Sequence, residues 1–396
     1  MNREWASVPI GIDADRWVSR GGCRTVLAVA HTVVSCQRLL DVVDLIETDP
    51  RVQVVFTVAP DVFNHGVDGY LRELGALVVP WAQATRESFH LALAASSGGL
   101  TEIHAPVVLM AHGAGHGKTA RPPSRGGPIV TDPPVYGLEP QELLRAGRVL
   151  PSALLLAHRA EREILRRQCP PALAVAVVTG DICYDRLLLS LSERDRYRHA
   201  LGIGNAERLV VVSSTWGRDG SFGAAHDLLP RLMTGLPAGR YRVAALLHPA
   251  IWAHGVRQVR AWTGDCRAAG LILPAPTEDW RALVAAADHV IGDHGSVTAY
   301  AAAAGLPTLR LDGDWPQRCA PGTAQHLVGQ KAGRLRLDDP LEPQLRDARP
   351  LDTGAVAARV TSHPGQAGER LRRVLYRLLH LSPPGRHRRV EPVPVP

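Results

Sequence analysis

Short apolar runs alternate with amphipathic stretches along most of the chain. "RTVLAVA" (24–30), "VQVVFTV" (52–58), "ALVVP" (76–80), "PVVLMAH" (106–112), "ALLLAH" (153–158) and "ALAVAVVTGD" (172–181) read as buried strands. Helical patterns fall between them, near 37–47 and 159–168. Continuous rather than alternating apolar runs are what a sheet buried on both faces requires, so the strands are expected to be parallel. A helix near 192–201 leads into a second series: strands at 208–217, 240–249, 271–274, 289–296 and 307–311, with helices at 278–287 and 297–305. The pattern predicts an α/β chain with two Rossmann-like domains, residues 1–190 and 206–330. Residues 331–396 add a basic amphipathic helix at 367–381 and a tail, "SPPGRHRRVEPVPVP", whose composition predicts disorder.

Composition narrows the function classes. With 396 residues and 45% hydrophobic content, the chain can bury two cores. No run of 18 apolar residues exists, so no transmembrane helix is expected, and the charged N-terminus is unlike a signal peptide. Six cysteines lie scattered without a C-x-x-C pair, which suits reduced thiols and a cytoplasmic protein. The formal charge of +7 fits an anionic substrate or surface, but no basic stripe is interleaved with aromatics, so nucleic acid is not an expected partner. Of 45 basic residues only Lys118 and Lys331 are lysines. Lys118 therefore stands out as a point charge for a phosphate, against the plain alternative of a solvated side chain.

Lys118 lies in "VVLMAHGAGHGKT" (107–119), close to a phosphate loop of the form G-x-x-x-x-G-K-[ST]. The first glycine of that form falls on His112, and Pro122 and Pro123 forbid the helix that must follow. The loop is something else. It follows a buried strand, the position where open parallel sheets bind ligands. Residues 119–140 that follow it are rich in proline and glycine and expected to be irregular. His112 and His116 at i, i+4 would suit a metal on a helix, but the glycines between them disfavour one.

Four further loops follow strands and carry groups suited to phosphate: "TGDICYDR" (179–186), "SSTWGRDGSFG" (213–223), "LLHP" (246–249) and "GDHGSVTAY" (292–300). Each has a plain reading of its own: Gly180 as a turn, His248 as a core histidine, Asp293 or Ser296 as a helix cap. Backbone N–H groups after Gly295 also make a ready anion site.

In order, these motifs resemble those of the CDP-glycerol:polyol glycerophosphotransferases, GT-B enzymes that extend teichoic-acid-type polymers. The resemblance covers roughly 105–311. It rests on His112-Gly113 with Lys118, Gly180 with Asp185, "SSTWGR", "LLHP", and Asp293 with Ser296 before a small-residue helix; His294 and Gly295 depart from the family pattern. It implies two Rossmann-like domains facing a cleft and a nucleotide-diphosphate-linked donor giving up a glycerophosphate or glycosyl group to an acceptor hydroxyl. His112 would be the general base. His248, Ser214, Thr215, Gly295 and Ser296 would contact donor phosphates, and Arg218 would neutralise the leaving group. Asp293 would bind the ribose or cap the helix, and Lys118 would meet donor or acceptor phosphate. No carboxylate cluster calls for a metal, and no cofactor beyond the donor is expected.

Three rivals share the fold. A UDP- or dTDP-sugar glycosyltransferase would use the same phosphate contacts. The non-hydrolysing UDP-N-acetylglucosamine 2-epimerases are also similar, but their paired glutamates are replaced here by Thr298, Ala299 and Tyr300. A non-catalytic nucleotide-binding protein is the third. The helix at 367–381 would either touch an anionic membrane surface or pack back on a domain, the latter being the commoner fate of such helices.

Overall fold

The computed structural model describes residues 5–6, 8–10, 19–120, 133–311, 313, 315–386 and 388–396. The irregular stretch expected at 119–140 lies partly outside them. The chain divides into two compact units. Unit 1 comprises residues 1–116, 137–183 and 362–390, and unit 2 comprises 117–136, 184–361 and 391–396.

Unit 1 is built on strands β1 (Arg24–Ala30), β2 (Val52–Val58), β3 (Leu91–Ala94) and β4 (Val107–Met110). A two-residue hairpin, β5 (Leu144–Arg145) with β6 (Arg148–Val149), precedes β7 (Ala153–Leu156) and β8 (Ala176–Val178). The sheet runs β2-β1-β3-β4-β7-β8, and every pairing in it is parallel. The expected strand at 76–80 reduces to one bridge, Val78 with Phe56, because Pro80 opens a helical turn at once.

Unit 2 holds β9 (Arg208–Ser214), β10 (Tyr241–Leu247), β11 (His289–Gly292), β12 (Thr308–Arg310) and β13 (Gly333–Arg334), in the order β10-β9-β11-β12-β13, again all parallel. The expected strand at 271–274 contributes a single bridge, Ile272 with Ala244, before Pro274. Both sheets belong to the α/β class with parallel strands joined by helical crossovers.

The C-terminal segment differs from the expected third region. The helix Ala367–Leu378 buries Leu371, Val374, Leu375 and Tyr376 in the core of unit 1, one stripe at helical spacing, with Arg370, Arg373 and Arg377 outside that stripe. Its apolar face is thereby occupied, which leaves none for a bilayer. Tyr376 donates its hydroxyl to Asp49 at 2.8 Å, and Arg51 pairs with the same carboxylate at 2.7 Å. Nor is the end of the chain loose. In unit 2, Val393 is buried, its N–H donates to Ser190 Oγ at 3.0 Å, and its carbonyl accepts from Tyr197 Oη at 2.7 Å. Two buried hydrogen bonds and an apolar anchor outweigh the composition of the tail. Among the described residues no helix is long and apolar enough to cross a membrane.

Candidate functional site

In each unit a buried carboxylate, Glu161 in unit 1 and Asp293 in unit 2, ties loops that follow the strands. In unit 1, β4 ends at Met110 and delivers His112, which is exposed. Its Nδ1 lies 3.2 Å from the Ala95 carbonyl, in the turn after β3. A carbonyl can only accept, so Nδ1 carries the proton and Nε2 is the bare nitrogen.

Gly113 is held from one side by Arg38, on the helix Val33–Val43. Arg38 Nη2 donates to the Gly113 carbonyl at 2.7 Å, while Nη1 pairs with Asp181 at 2.9 Å. Asp181 follows β8 and Gly180, whose φ of +90° suits glycine. The predicted motif partner Asp185 is buried further on, in the helix Ile182–Ser190 and on the unit 2 side of the division.

From the other side the loop is held by Glu161, in the first turn of the helix Arg159–Gln168. Its Oε1 accepts from His116 N at 2.5 Å and from His116 Nδ1 at 3.0 Å, and its Oε2 accepts from His158 N at 2.9 Å. Burial works against the Glu161 charge, yet hydrogen bonding and attraction from His116 hold its carboxyl below the usual range. Gly115 makes the approach possible: a Cβ there would stand 2.7 Å from Oε1.

Lys118 falls on the unit 2 side of the division, where its backbone forms an antiparallel bridge with Cys319, flanked by Ala320 N to Gly117 O at 3.0 Å and Thr119 N to Arg318 O at 3.2 Å.

The strand ends of unit 2 converge on Asp293, which is 4% exposed. Its Oδ2 accepts from Thr215 N (2.8 Å), Thr215 Oγ1 (3.1 Å) and Ser221 N (2.8 Å), and its Oδ1 from Gly295 N (3.0 Å). This carboxylate is thus spent on joining the loops after β9 and β11. Ser214 Oγ accepts from Phe222 N and donates to the Thr215 carbonyl, each at 2.8 Å, which closes the β9 loop on itself. Gly295 is sterically required, since a Cβ there would meet Thr215 Cγ2 at 2.8 Å. The helix Ser296–Ala303 starts directly after it.

His248, after β10, donates its N–H to the Ser214 carbonyl at 3.0 Å, and its Nδ1 accepts from Ala250 N at 3.1 Å. Its ring proton therefore sits on Nε2, the opposite tautomer to His112. Arg218 is exposed on the β9 loop.

A small cavity beside this cluster is lined by Asp219, Ser221, Asp293, His294, Trp315 and Arg318. Burial lowers the His294 pKa from its ordinary value; Asp293 opposes that, while the nearby cations Lys118 and Arg318 add to it. Arg318 pairs with Asp219. Among the described residues no three His, Cys, Asp or Glu side chains form a metal-holding group.

Sequence reading missed Arg38, Asp181, Glu161 and Arg318. Glu161 had a local signal, the capping box His158-x-x-Glu161. Nothing local points to its partner.

No protein-family model matches the chain, and neither does any curated protein sequence. Solved structures do. The wall teichoic acid polymerase TagF, in a crystal soaked with CDPG, superposes with a TM-score of 0.58 at 13% identity, over 90% of this chain and 88% of that one. A putative UDP-N-acetylglucosamine 2-epimerase from Listeria monocytogenes gives a TM-score of 0.55 at 13% identity, over 89% and 96%. UDP-GlcNAc 2-epimerase from Neisseria meningitidis, bound to UDP-GlcNAc, gives 0.51 at 14% identity, over 90% and 99%. Likeness at such identities carries the fold and nothing finer. The chain has the GT-B type of α/β fold, two Rossmann-like domains each with its own parallel sheet.

Proposed function

We propose that the chain is a GT-B transferase that moves a glycerophosphate or glycosyl group from a nucleotide-diphosphate-linked donor to an acceptor hydroxyl. The observation that carries this reading is the Asp293 lock, which gathers the β9 and β11 loops before the helix Ser296–Ala303. Backbone N–H groups at that helix start, the Ser296 hydroxyl and the His248 Nε2–H are all donors, as a diphosphate requires. Lys118, Arg318 and the exposed Arg218 supply cationic charge in the same unit. Asp293, with both oxygens engaged, fits a loop lock better than a ribose contact.

In glycerophosphate transfer, the acceptor oxygen bonds to the donor's distal phosphorus as the phosphorus–oxygen bond to the nucleoside monophosphate breaks. The acceptor's proton passes to an imidazole with a bare Nε2. The loop after β4 offers such imidazoles, and the family resemblance points to His112. Catalysis is expected to need no metal, so chelator should leave turnover unchanged.

The neighbours' ligands, CDPG and UDP-GlcNAc, define the choice of donor to test. A thermal-shift panel of CMP, CDP, CDP-glycerol, UDP, UDP-sugars, dTDP, GDP and ATP reads ligand binding to the native state. A shift with CDP species that His248→Ala removes supports glycerophosphate transfer. A shift confined to UDP or dTDP species moves the reading to glycosyl transfer. No shift with any nucleotide sinks the transferase reading and leaves a non-catalytic protein.

A further inference from the structure

The loops after β9 and β11, which Asp293 joins, border the cavity lined by Asp219, Ser221, Asp293, His294, Trp315 and Arg318, all within unit 2. The cavity opens to solvent, and its enclosed part has room for about one water-sized group. Two polar side chains in its wall are unpaired. Ser221 is 1% exposed, and its Oγ is buried with no hydrogen-bond partner among the described residues. Its backbone N–H donates to Asp293 Oδ2 at 2.8 Å, which fixes the residue and leaves the hydroxyl idle. His294 is the second, its ring making no hydrogen bond among the described residues. Burial keeps that ring neutral, so it offers one donor and one acceptor.

Trp315 supplies an apolar wall. It is 5% exposed, and the His294 ring meets it edge-on, with centroids 6.4 Å apart and planes at 84°. Gly329 makes room for the indole, since a Cβ there would stand 2.6 Å from Trp315 Cε3. Leaving a buried hydroxyl idle is destabilising, and such a group in a cavity wall points to something that binds there.

The wall restricts what that can be. A phosphate carries only acceptors and calls for donors and positive charge. Here two carboxylates, Asp219 and Asp293, line the cavity against one guanidinium, Arg318, which is paired with Asp219. A phosphate is also too large for the enclosed part. An apolar group would leave Ser221 and His294 unsatisfied. A hydroxyl is water-sized, both donates and accepts, and its carbon can rest on the indole.

We propose that this cavity is a hydroxyl subsite, in which Ser221 and His294 bind a neutral polyhydroxyl group, the glycerol or sugar end of the donor. The assignment rests on the transferase reading given above. It places recognition of the transferred group on the same two loops that offer donors to the diphosphate. His294 is one of the positions at which the chain departs from the family pattern, so the subsite belongs to this chain rather than to that pattern.

The test compares whole donors with their bare nucleotides on the full chain, by isothermal titration calorimetry. CDP-glycerol is paired with CDP, and UDP-N-acetylglucosamine with UDP. Ser221→Ala removes the hydroxyl, and His294→Phe keeps a ring against Trp315 but no nitrogen. Each variant should bind the whole donor about 3–10-fold more weakly, the worth of one hydrogen bond, and the bare nucleotide as well as the wild type does. Loss with CDP-glycerol assigns the subsite to glycerol, and loss with the UDP-sugar assigns it to a sugar. Equal losses for donor and nucleotide, or no loss for either, overturn the subsite and leave the transferase reading in place. A wild type that binds no nucleotide sinks both.

A second measurement needs no ligand. An idle hydroxyl can be removed without loss, so Ser221→Ala should melt at or above the wild-type temperature. A clear drop in melting temperature would show that the fold uses the hydroxyl, and overturns the subsite whatever the donor.

Discussion

The loops of unit 1 and unit 2 solve one problem with opposite chemistry. Both lock strand-end loops with a buried carboxylate admitted by a glycine: Glu161 beside Gly115, and Asp293 beside Gly295. In unit 1 the carboxylate and a carbonyl take the Nδ1 protons of His116 and His112, so the rings present acceptors. In unit 2 a backbone N–H takes the Nδ1 lone pair of His248, so that ring presents a donor. The neighbouring groups follow suit, with backbone N–H groups and the cations Lys118 and Arg318 on the unit 2 side. Acceptors suit the removal of a proton from a neutral hydroxyl, and donors suit the holding of an anion. A histidine's hydrogen-bond partner says more about its task than its position in a motif.

Removing the Asp293 lock measures what it holds. Asp293→Ala leaves three buried N–H groups and one hydroxyl without their acceptor, and should cost unit 2 about 3–5 kcal/mol in denaturant unfolding. Asp293→Asn retains an oxygen for the three donors on Oδ2 and should cost roughly half as much. Equal losses for the two variants would mean that the charge, not the geometry, holds the loops.

Unit 1 offers a milder counterpart in Arg38. Arg38→Met leaves Asp181 buried without its guanidinium and should cost about 3 kcal/mol. The double change Arg38→Met with Asp181→Leu removes both charges, and most of that loss should return if the pair matters only as a pair. A double variant no more stable than Arg38→Met would show that the Gly113 carbonyl needs the arginine for itself.

The glycine loop, the strand ends and the Asp293–Ser296 corner were legible because each is a local signal: an apolar run, a glycine after it, a helix start. Strand β3 was not. Its four residues, Leu91–Ala94, are buried throughout, and a run that short carries no periodicity to separate it from its surroundings. Val78 misled for the converse reason, an apolar run that Pro80 cuts to one bridge. The pairs that define the loops are long-range. Arg38 and Asp181 lie 143 residues apart and His116 and Glu161 lie 45 apart, distances at which a single sequence gives no pairing. Lys118 was grouped with His112 because they share a motif, yet the chain passes from unit 1 to unit 2 between them.

The smallest expected effect is a pH dependence, and it separates the units once more. Burial lowers the pKa of His31, His90 and His363 in unit 1 and of His289 and His294 in unit 2 below the ordinary 6.5. Each is neutral in the fold and takes up a proton on unfolding as pH drops through about 6.5. Between that value and the lower folded one the unfolded chain binds more protons, so stability rises with pH in this window and is complete above it. Melting temperatures should therefore hold steady above pH 7 and fall below about pH 6.5. His31 is the fully buried one of the unit 1 three: it is 0% exposed, its Nε2–H donates to the Gly98 carbonyl at 2.7 Å, and its Nδ1 has no partner. Glutamine in its place can give the same N–H to Gly98 and cannot titrate. His31→Gln should reduce the acid slope of the unit 1 transition, leaving the smaller share of His90 and His363, and keep that of unit 2 as it was. An unchanged slope in unit 1 would mean that His31 keeps its proton on unfolding or never loses it on folding, and either contradicts a ring held neutral by burial.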